Sequence, residues 1–310
     1  MRIVFWGTPA FASPPLRALV GEGYNVVGVV TQPDRPQGRS RSTLVASPVK
    51  AFALEEGIPV LQPERPRGPD FVAALRALEP DLSVVVAYGH ILPREVIDLP
   101  PLGTLNIHAS LLPALRGAAP IQAAIRQGCS ETGVTIMRMV PALDAGPIVL
   151  ALPTPILADE TYGELQNRLS ELGALALLEA LALLSVGSAT ETPQDDARAS
   201  YASKVERVMA RVDWKRSCDE VARVIRAYDP RPGAFSVLRE QEVKLYGARV
   251  APDASGDPGR VLGIGEGGLL VGCGTGGVRI AYVHPAGRRR VAALDWAQGR
   301  GVVEGDQFGG

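Results

Sequence analysis

The sequence predicts an α/β chain: a doubly wound, largely parallel sheet first, then a small β-barrel or sandwich. Three observations carry this. Short apolar runs alternate with helical patterns over the first part of the chain. One of them, Asp81–Ala87 (DLSVVVA), is apolar nearly throughout, as expected of a strand covered on both faces. Beyond Tyr228 the pattern changes to short β-like stretches separated by Gly, Pro and Asp.

The elements follow in order. Ile3–Trp6 reads as a strand ending in Gly7-Thr8-Pro9, with a helical pattern running on to about Gly21. Asn25–Thr31 is a second strand. Ser47-Pro48 is a helix start, an N-cap residue followed by Pro at the first helical position. That helix ends at Gly57, and Ile58–Leu61 is a third strand. Asp81–Ala87, Leu105–His108 and Gly133–Val140 are the fourth, fifth and sixth. A long helix over Thr161–Val186 ends the first domain. Strands separated by helices imply βαβ units and a Rossmann-like sheet. Gly187–Ser200 is polar, without apolar period, and reads as a linker. Ser217 and Glu220 form a capping box opening a helix through Tyr228. The β-like stretches are Ala234–Leu238, Val243–Val250, Arg260–Ile264, Leu269–Val271 and Val278–Val283. The expected domains are residues 1–187, a linker over 188–204, and residues 205–310. One connection, Gln32 to Ala46, has no periodicity and carries two Pro and three Arg, and loops of that length are usually either functional or disordered.

With 310 residues, 46% of them hydrophobic and 21% charged, the chain is that of a globular protein of about two domains. The net charge of −1 divides unevenly: residues 1–203 hold 15 Lys/Arg against 20 Asp/Glu, residues 204–310 hold 17 against 13. A basic C-terminal part can dock a polyanion even in a neutral protein. Cys129, Cys218 and Cys273 are scattered, without a C-x-x-C pair, which argues against a disulfide framework and a zinc site and fits a reducing compartment. The N-terminal MRIVFWGTP lacks the pattern of a leader, and the longest apolar run, Leu172–Val186, is interrupted by Glu179 and too short to span a bilayer.

Few residues carry chemistry. There are three histidines, and His108 stands out because it ends a strand in Leu105-Asn106-Ile107-His108. Asn106 and His108 are two apart, so their side chains leave one face of that strand. Ligand sites of open α/β sheets lie beyond the carboxyl ends of strands, where an amide and an imidazole make a polar pair. Ser110-Leu111-Leu112-Pro113 follows, an apolar stretch that serves equally as a pocket wall or as packing, then Arg116-Gly117 and a helix from about Ala118. Asp144, in Leu143-Asp144-Ala145-Gly146, follows the sixth strand; Asp-x-Gly is common in turns. If it folds back to His108, its carboxylate favours the protonated imidazole and orients it. Neither G-x-G-x-x-G after the first strand nor a P-loop nor H-E-x-x-H is present, which excludes the usual NAD, ATP and zinc-protease readings.

These residues resemble a known family. Residues 106–122, NIHASLLPALRGAAPIQ, are similar to the core motif of folate-dependent formyltransferases, and Asp144 stands where that family places its aspartate. GTPAFA (7–12) and VVVAYGHILP (84–93) resemble it as well. Within the family, TQPDRPQGR (31–39), SPVK (47–50), GAAPIQ, ETGVTIM (131–137) and the size of the C-terminal domain resemble the branch that acts on methionyl-tRNA. After Asp144 the family often reads D-T-G-D, where this chain has Asp144-Ala145-Gly146-Pro147.

The resemblance implies a formyltransferase fold with an OB-like C-terminal barrel that binds tRNA. It implies transfer of the formyl group of 10-formyltetrahydrofolate to the amino group of methionyl-initiator tRNA, for translation initiation, by a cytoplasmic monomer without a metal. Asn106, His108 and Asp144 would be catalytic, Ser110, Leu111, Leu112 and Pro113 would meet the folate, and Arg39 and Arg41 would meet the tRNA. In that chemistry Asn106 donates to the developing oxyanion, and His108 and Asp144 stabilise charge and handle a proton. The rival readings share the trio but use a nucleotide, a sugar or water as acceptor, or keep the fold as a non-enzymatic RNA-binding protein.

Overall fold

The computed structural model describes residues 1–37 and 43–309. The chain divides into two compact units, one of Met1–Gly117, Thr132–Thr154 and Gln166–Tyr201, the other of Ala118–Glu131, Pro155–Leu165 and Ala202–Gly310.

The first unit is built on β1 (Arg2–Gly7), β2 (Asn25–Val30), β5 (Val60–Leu61), β6 (Leu82–Val86), β7 (Thr104–His108), β9 (Glu131–Arg138) and β10 (Ile148–Pro155). They lie in the order β10-β9-β7-β6-β1-β2-β5. β1 pairs in parallel with β2 and β6, β2 with β5, and β6 with β7, while β9 runs antiparallel to β7. The chain thus builds outward from β1 to one side, then crosses over to build the other. In open sheets of this kind, ligands bind beyond the strands' carboxyl ends near such a reversal, here between β6 and β1, one strand from β7. The connecting helices are α1 (Ser13–Gly21), α2 (Pro48–Glu55), α3 (Pro69–Ala77) and α4 (Arg94–Ile97). α2 starts where its sequence says it should: Ser47 Oγ accepts from Lys50 N at 3.1 Å, satisfying one of its orphan amides.

Central strands are apolar throughout because both faces are covered. Ile3, Val4, Phe5, Trp6, Val84 and Val86 are fully buried. Each such side chain contributes about 1.5–3 kcal/mol of burial. Trp6 stands edge-on to Phe71 and Tyr88, with centroids 5.8 and 5.3 Å away, and its indole N–H donates to Ser83 Oγ. Burial pushes the Tyr88 phenol up to about 12.

Gln32 to Ala46 is not wholly irregular: its described flanks, β3 (Arg35–Gln37) and β4 (Thr43–Val45), pair as an antiparallel hairpin. Pro36 sits inside it, which hid the strand from a reading by pattern. The base is held by Asp34, which accepts from Lys50 Nζ at 2.6 Å and from Gln62 Nε2 at 2.8 Å. Those bonds hold the Asp34 carboxyl below the ordinary carboxylate value, Lys50 first and Gln62 second.

In the second unit, α5 (Pro120–Gln127) and α7 (Cys218–Ala227) lie with a curled sheet of β12 (Ala234–Leu238), β13 (Gln241–Ala251), β14 (Val261–Gly265), β15 (Gly268–Gly272), β16 (Gly277–Pro285) and β18 (Phe308–Gly309). The order is β14-β15-β16-β13-β12-β18, with β17 (Val291–Ala292) beside β16 and the short helix α8 (Ala293–Gln298) after it. The ends of this sheet meet: Val261 N donates to Asp306 O and Phe308 N to Gly259 O, each at 2.8 Å. They meet through one isolated bridge, Arg260 to Gln307, so the sheet curls into a half-barrel where a small barrel was expected. Its core gathers Trp214, Val221, Ile225, Leu245, Val283 and Phe308. The Ser217/Glu220 capping box is present, with Glu220 Oε2 accepting from Ser217 N at 3.1 Å.

Two short strands, β8 (Arg116–Gly117) and β11 (Tyr201–Ala202), and the long helix α6 (Tyr162–Ser185) complete the chain. Among the described residues no helix is long and apolar enough to cross a membrane.

Candidate active site

β7 delivers Asn106 and His108 to the carboxyl edge of the first unit's sheet, flanked by β6 on one side and β9 on the other. Alternation along β7 puts the two side chains on one face. His108 is 6% exposed and Asn106 half-buried. Among the described residues no hydrogen bond ties up the Asn106 amide, so its donors are available to a ligand.

The loop after β7 is strapped from within. Thr135 on β9 donates its hydroxyl to Ser110 O at 2.7 Å and accepts from Leu112 N at 3.1 Å. Ser110 Oγ donates to Ala114 O at 2.6 Å. The Leu112–Pro113 bond is cis, and Leu115 takes a left-handed φ of 59°. The result turns the Leu115 carbonyl back onto His108, whose Nε2 lies 3.0 Å from it. A carbonyl only accepts, so Nε2 carries a proton and the neutral ring presents its lone pair at Nδ1.

Nδ1 faces Asp144, with Oδ2 3.7 Å away. That is beyond direct hydrogen bonding but well within Coulombic reach. A proton gained at Nδ1 would therefore come to rest beside a carboxylate. Oδ2 itself accepts from Gly117 N at 2.8 Å, which anchors the acid. Asp144 has φ of 48°, a left-handed backbone that Asp tolerates better than most residues. Gly146 is needed next to it because a Cβ there would stand 1.8 Å from the carbonyl oxygen of Arg138.

Three expected site residues are thus brought together. Of the apolar stretch, Ser110 and Leu112 are buried, Leu111 and Pro113 half-buried, and the Ser110 hydroxyl is turned inward to Ala114. Arg39 and Arg41 lie outside the described residues.

Two residues that the sequence reading did not single out complete the site. Gln194 donates from Nε2 to the carbonyls of Asp144 at 2.9 Å and Gly146 at 2.7 Å. Its Oε1 accepts from Arg116 Nε at 3.0 Å and Nη2 at 2.8 Å. Arg116 is 3% exposed, and its Nη2 also meets Asp196 Oδ1 at 2.8 Å. Both Gln194 and Asp196 lie in the polar stretch after α6. The same stretch supplies Ser200, whose Oγ accepts from Leu115 N at 2.9 Å and whose carbonyl accepts from Arg116 N. A run without apolar period gives no signal that it packs; the signal would have been its polar side chains at fixed reach from the loop.

Among the described residues no three His, Cys, Asp or Glu gather as metal ligands. The arrangement offers an amide donor two residues from a tautomer-locked imidazole on one strand, and an anchored carboxylate 3.7 Å from that imidazole: parts for stabilising a developing oxyanion and moving a proton.

Comparison with known proteins agrees with this chemistry. The formyl transferase family model matches residues 1–181, and the formyl transferase C-terminal domain matches residues 204–301. A methionyl-tRNA formyltransferase of Pseudomonas syringae pv. tomato is 49% identical over 289 residues, covering 93% of this chain and 91% of its own. One from Geobacter metallireducens is 44% identical over 309 residues, covering 100% and 99%. Among solved structures, a multiply substituted variant of HypX from Aquifex aeolicus superposes with a TM-score of 0.70 at 23% identity, over 98% of this chain and 48% of that one. WlaRD, a sugar 3N-formyl transferase, gives 0.68 at 17% identity, over 93% and 98%. At such identities these two likenesses speak for the fold alone.

Proposed function

The chain belongs to the formyl transferase family, and we propose from that membership that it moves the formyl group of 10-formyltetrahydrofolate to the amino group of methionyl-initiator tRNA. The observation that carries the acceptor is identity of 44–49% to methionyl-tRNA formyltransferases over nearly the full length of both chains. The product, N-formylmethionyl-tRNA, serves translation initiation.

Each residue's part follows from its position. Asn106 donates its amide N–H to the charge developing on the formyl oxygen. His108 takes the proton shed by the attacking amine at Nδ1, the nitrogen left free once Nε2–H is donated to the Leu115 carbonyl, and passes it to the folate nitrogen as the bond from that nitrogen to the formyl carbon breaks and tetrahydrofolate leaves. Asp144 stabilises the imidazolium so formed and orients the attacking amine. The stretch Ser110, Leu111, Leu112 and Pro113, closed by its bond to Thr135, lines the folate side of the crevice.

Arg39 and Arg41, which lie outside the described residues, contact the acceptor end of the tRNA, and the basic second unit meets phosphates. Two features support the latter. Arg249 and Arg279 stand directly opposite each other on β13 and β16, a like-charge pair that an anionic partner relieves, although Arg249 also lies 3.9 Å from Asp159. Arg290 stacks on Tyr246 and Tyr282, 4.2 and 4.9 Å from their centroids. Phosphate contacts make binding fall with salt, and removing one of these arginines should lower the slope by about one. The protein acts in the cytoplasm as a monomer, which sedimentation of the free protein checks.

The test offers 10-formyltetrahydrofolate with charged initiator tRNA, an amino-sugar nucleotide, or water as acceptor. Formylated methionyl-tRNA as the dominant product supports the reading; folate turnover with the other acceptors alone moves the assignment elsewhere in the family.

A further inference from the structure

We propose that Gln194 is a positioning residue of this site, holding the backbone of Asp144 in the left-handed turn that aims its carboxylate at His108. The proposal rests on reading Asn106, His108 and Asp144 as the transfer site.

Gln194 uses all its hydrogen-bonding capacity on one task. Its two N–H groups go to the carbonyls of Asp144 and Gly146, either side of Ala145, at 2.9 and 2.7 Å. Its oxygen takes two bonds from Arg116, at 3.0 and 2.8 Å. Carbonyls only accept and a guanidinium only donates, so the partners dictate which end of the amide points where. Arg116 therefore sets the orientation, and Gln194 conveys it to the Asp144 turn. Gln194 is half-buried between exposed neighbours, so its side chain turns inward from that run.

The turn needs such a brace. Asp144 sits at φ of 48°, in the left-handed region that side-chain-bearing residues rarely adopt. Among the described residues its carboxylate is anchored by Gly117 N–H at 2.8 Å alone, and 3.7 Å separates it from His108. A displacement of about 1 Å at such a site costs up to ~100-fold in rate.

Glutamate in place of glutamine separates this role from simple packing. The size is unchanged and the pairing with Arg116 is strengthened, but two carbonyls lose their donors and face a carboxylate. Gln194→Glu is expected to keep its melting temperature within a few degrees. It should lower kcat by on the order of tenfold to a hundredfold, with KM for both substrates within about threefold. The chain has only three histidines, so the ring 15N resonances of His108 can be identified by their loss in His108→Ala; they should shift in Gln194→Glu. Gln194→Met, which also lacks donors but carries no charge, should behave alike and guards against misfolding of one variant.

Unmoved His108 resonances in both folded variants overturn the proposal, whatever kcat does. So does kcat within twofold of wild type, because the turn would then not limit the reaction. If the wild type transfers no formyl group, it is the functional reading that falls, and the His108 resonances alone still decide whether Gln194 positions Asp144.

Discussion

Nδ1 of His108 lies 3.7 Å from Oδ2 of Asp144, on the side of the ring opposite the nitrogen that meets the Leu115 carbonyl. The histidine is therefore held between a carbonyl that sets its tautomer and a carboxylate within Coulombic reach of its other nitrogen. Asp144→Asn keeps an oxygen for Gly117 N–H but removes the charge. Single-turnover formyl transfer should slow by about 10²–10⁴, the usual worth of a proton-handling group. The melting temperature should stay near that of wild type. A rate within threefold would show that Asp144 acts only through shape.

Gly146→Ala and Gly21→Ala form a matched pair. At Gly146 the new Cβ would meet the Arg138 carbonyl oxygen at 1.8 Å, backbone against backbone, while at Gly21, the last residue of α1, it meets nothing within 4 Å. Urea unfolding should show Gly146→Ala losing about 1–3 kcal/mol and Gly21→Ala gaining up to about 1 kcal/mol. Formyl transfer should fall only in the first. Equal stability of the two variants would contradict the close approach of the Asp144 turn to β9.

Thiol chemistry should single out Cys129, which is half-exposed, whereas Cys218 and Cys273 are buried. Burial pushes Cys273 up to about 12, helped by Cys218 beside it, and raises Cys218 as well. The thiolate is the reactive form. At pH 8 the native protein should take up one equivalent of iodoacetamide quickly and the other two only on unfolding. Rapid uptake of three equivalents would mean that the barrel core opens freely.

The capping box of α7 makes part of the stability depend on pH. Glu220 is held below the ordinary carboxylate value, first by the Ser217 hydroxyl and then by the Ser217 backbone. A depressed carboxyl stabilises the fold above its unfolded value and loses that contribution as pH falls through its folded value. Glu220→Ala should thus lower the melting temperature at pH 7, with the gap closing as the solution is acidified through the carboxylate range. Ser217→Ala, which removes the cap oxygen, should cost about 1 kcal/mol at neutral pH. A Glu220→Ala gap independent of pH would contradict the reading.

Much of this architecture is legible in the sequence because burial on both faces writes long apolar runs, as in β1 and β6, and because Ser47-Pro48 and Ser217-x-x-Glu220 announce their helices. β12 is read at its observed bounds, Ala234–Leu238. β10 is not legible: Ile148–Pro155 buries only Val149 and carries two prolines. Nor is α3, whose start, Gly68-Pro69, follows an Arg- and Pro-rich stretch that reads as loop. At the site, Asn106 and His108 are visible through their spacing on one strand, and Asp144 through resemblance. The Leu115 carbonyl leaves no trace in the sequence, because a backbone group acts there through the loop's conformation. Gln194 escapes for another reason: periodicity detects apolar packing, and Gln194 works through four polar contacts from a hydrophilic run.

The central claim is that Asn106, His108 and Asp144 form the centre that formylates methionyl-tRNA. It is tested most directly by transfer from 10-formyltetrahydrofolate to charged initiator tRNA, with wild type and His108→Ala side by side. Robust transfer by the wild type, lowered at least about a hundredfold in the variant with its fold intact, is the expected result. Equal transfer by both proteins would contradict it.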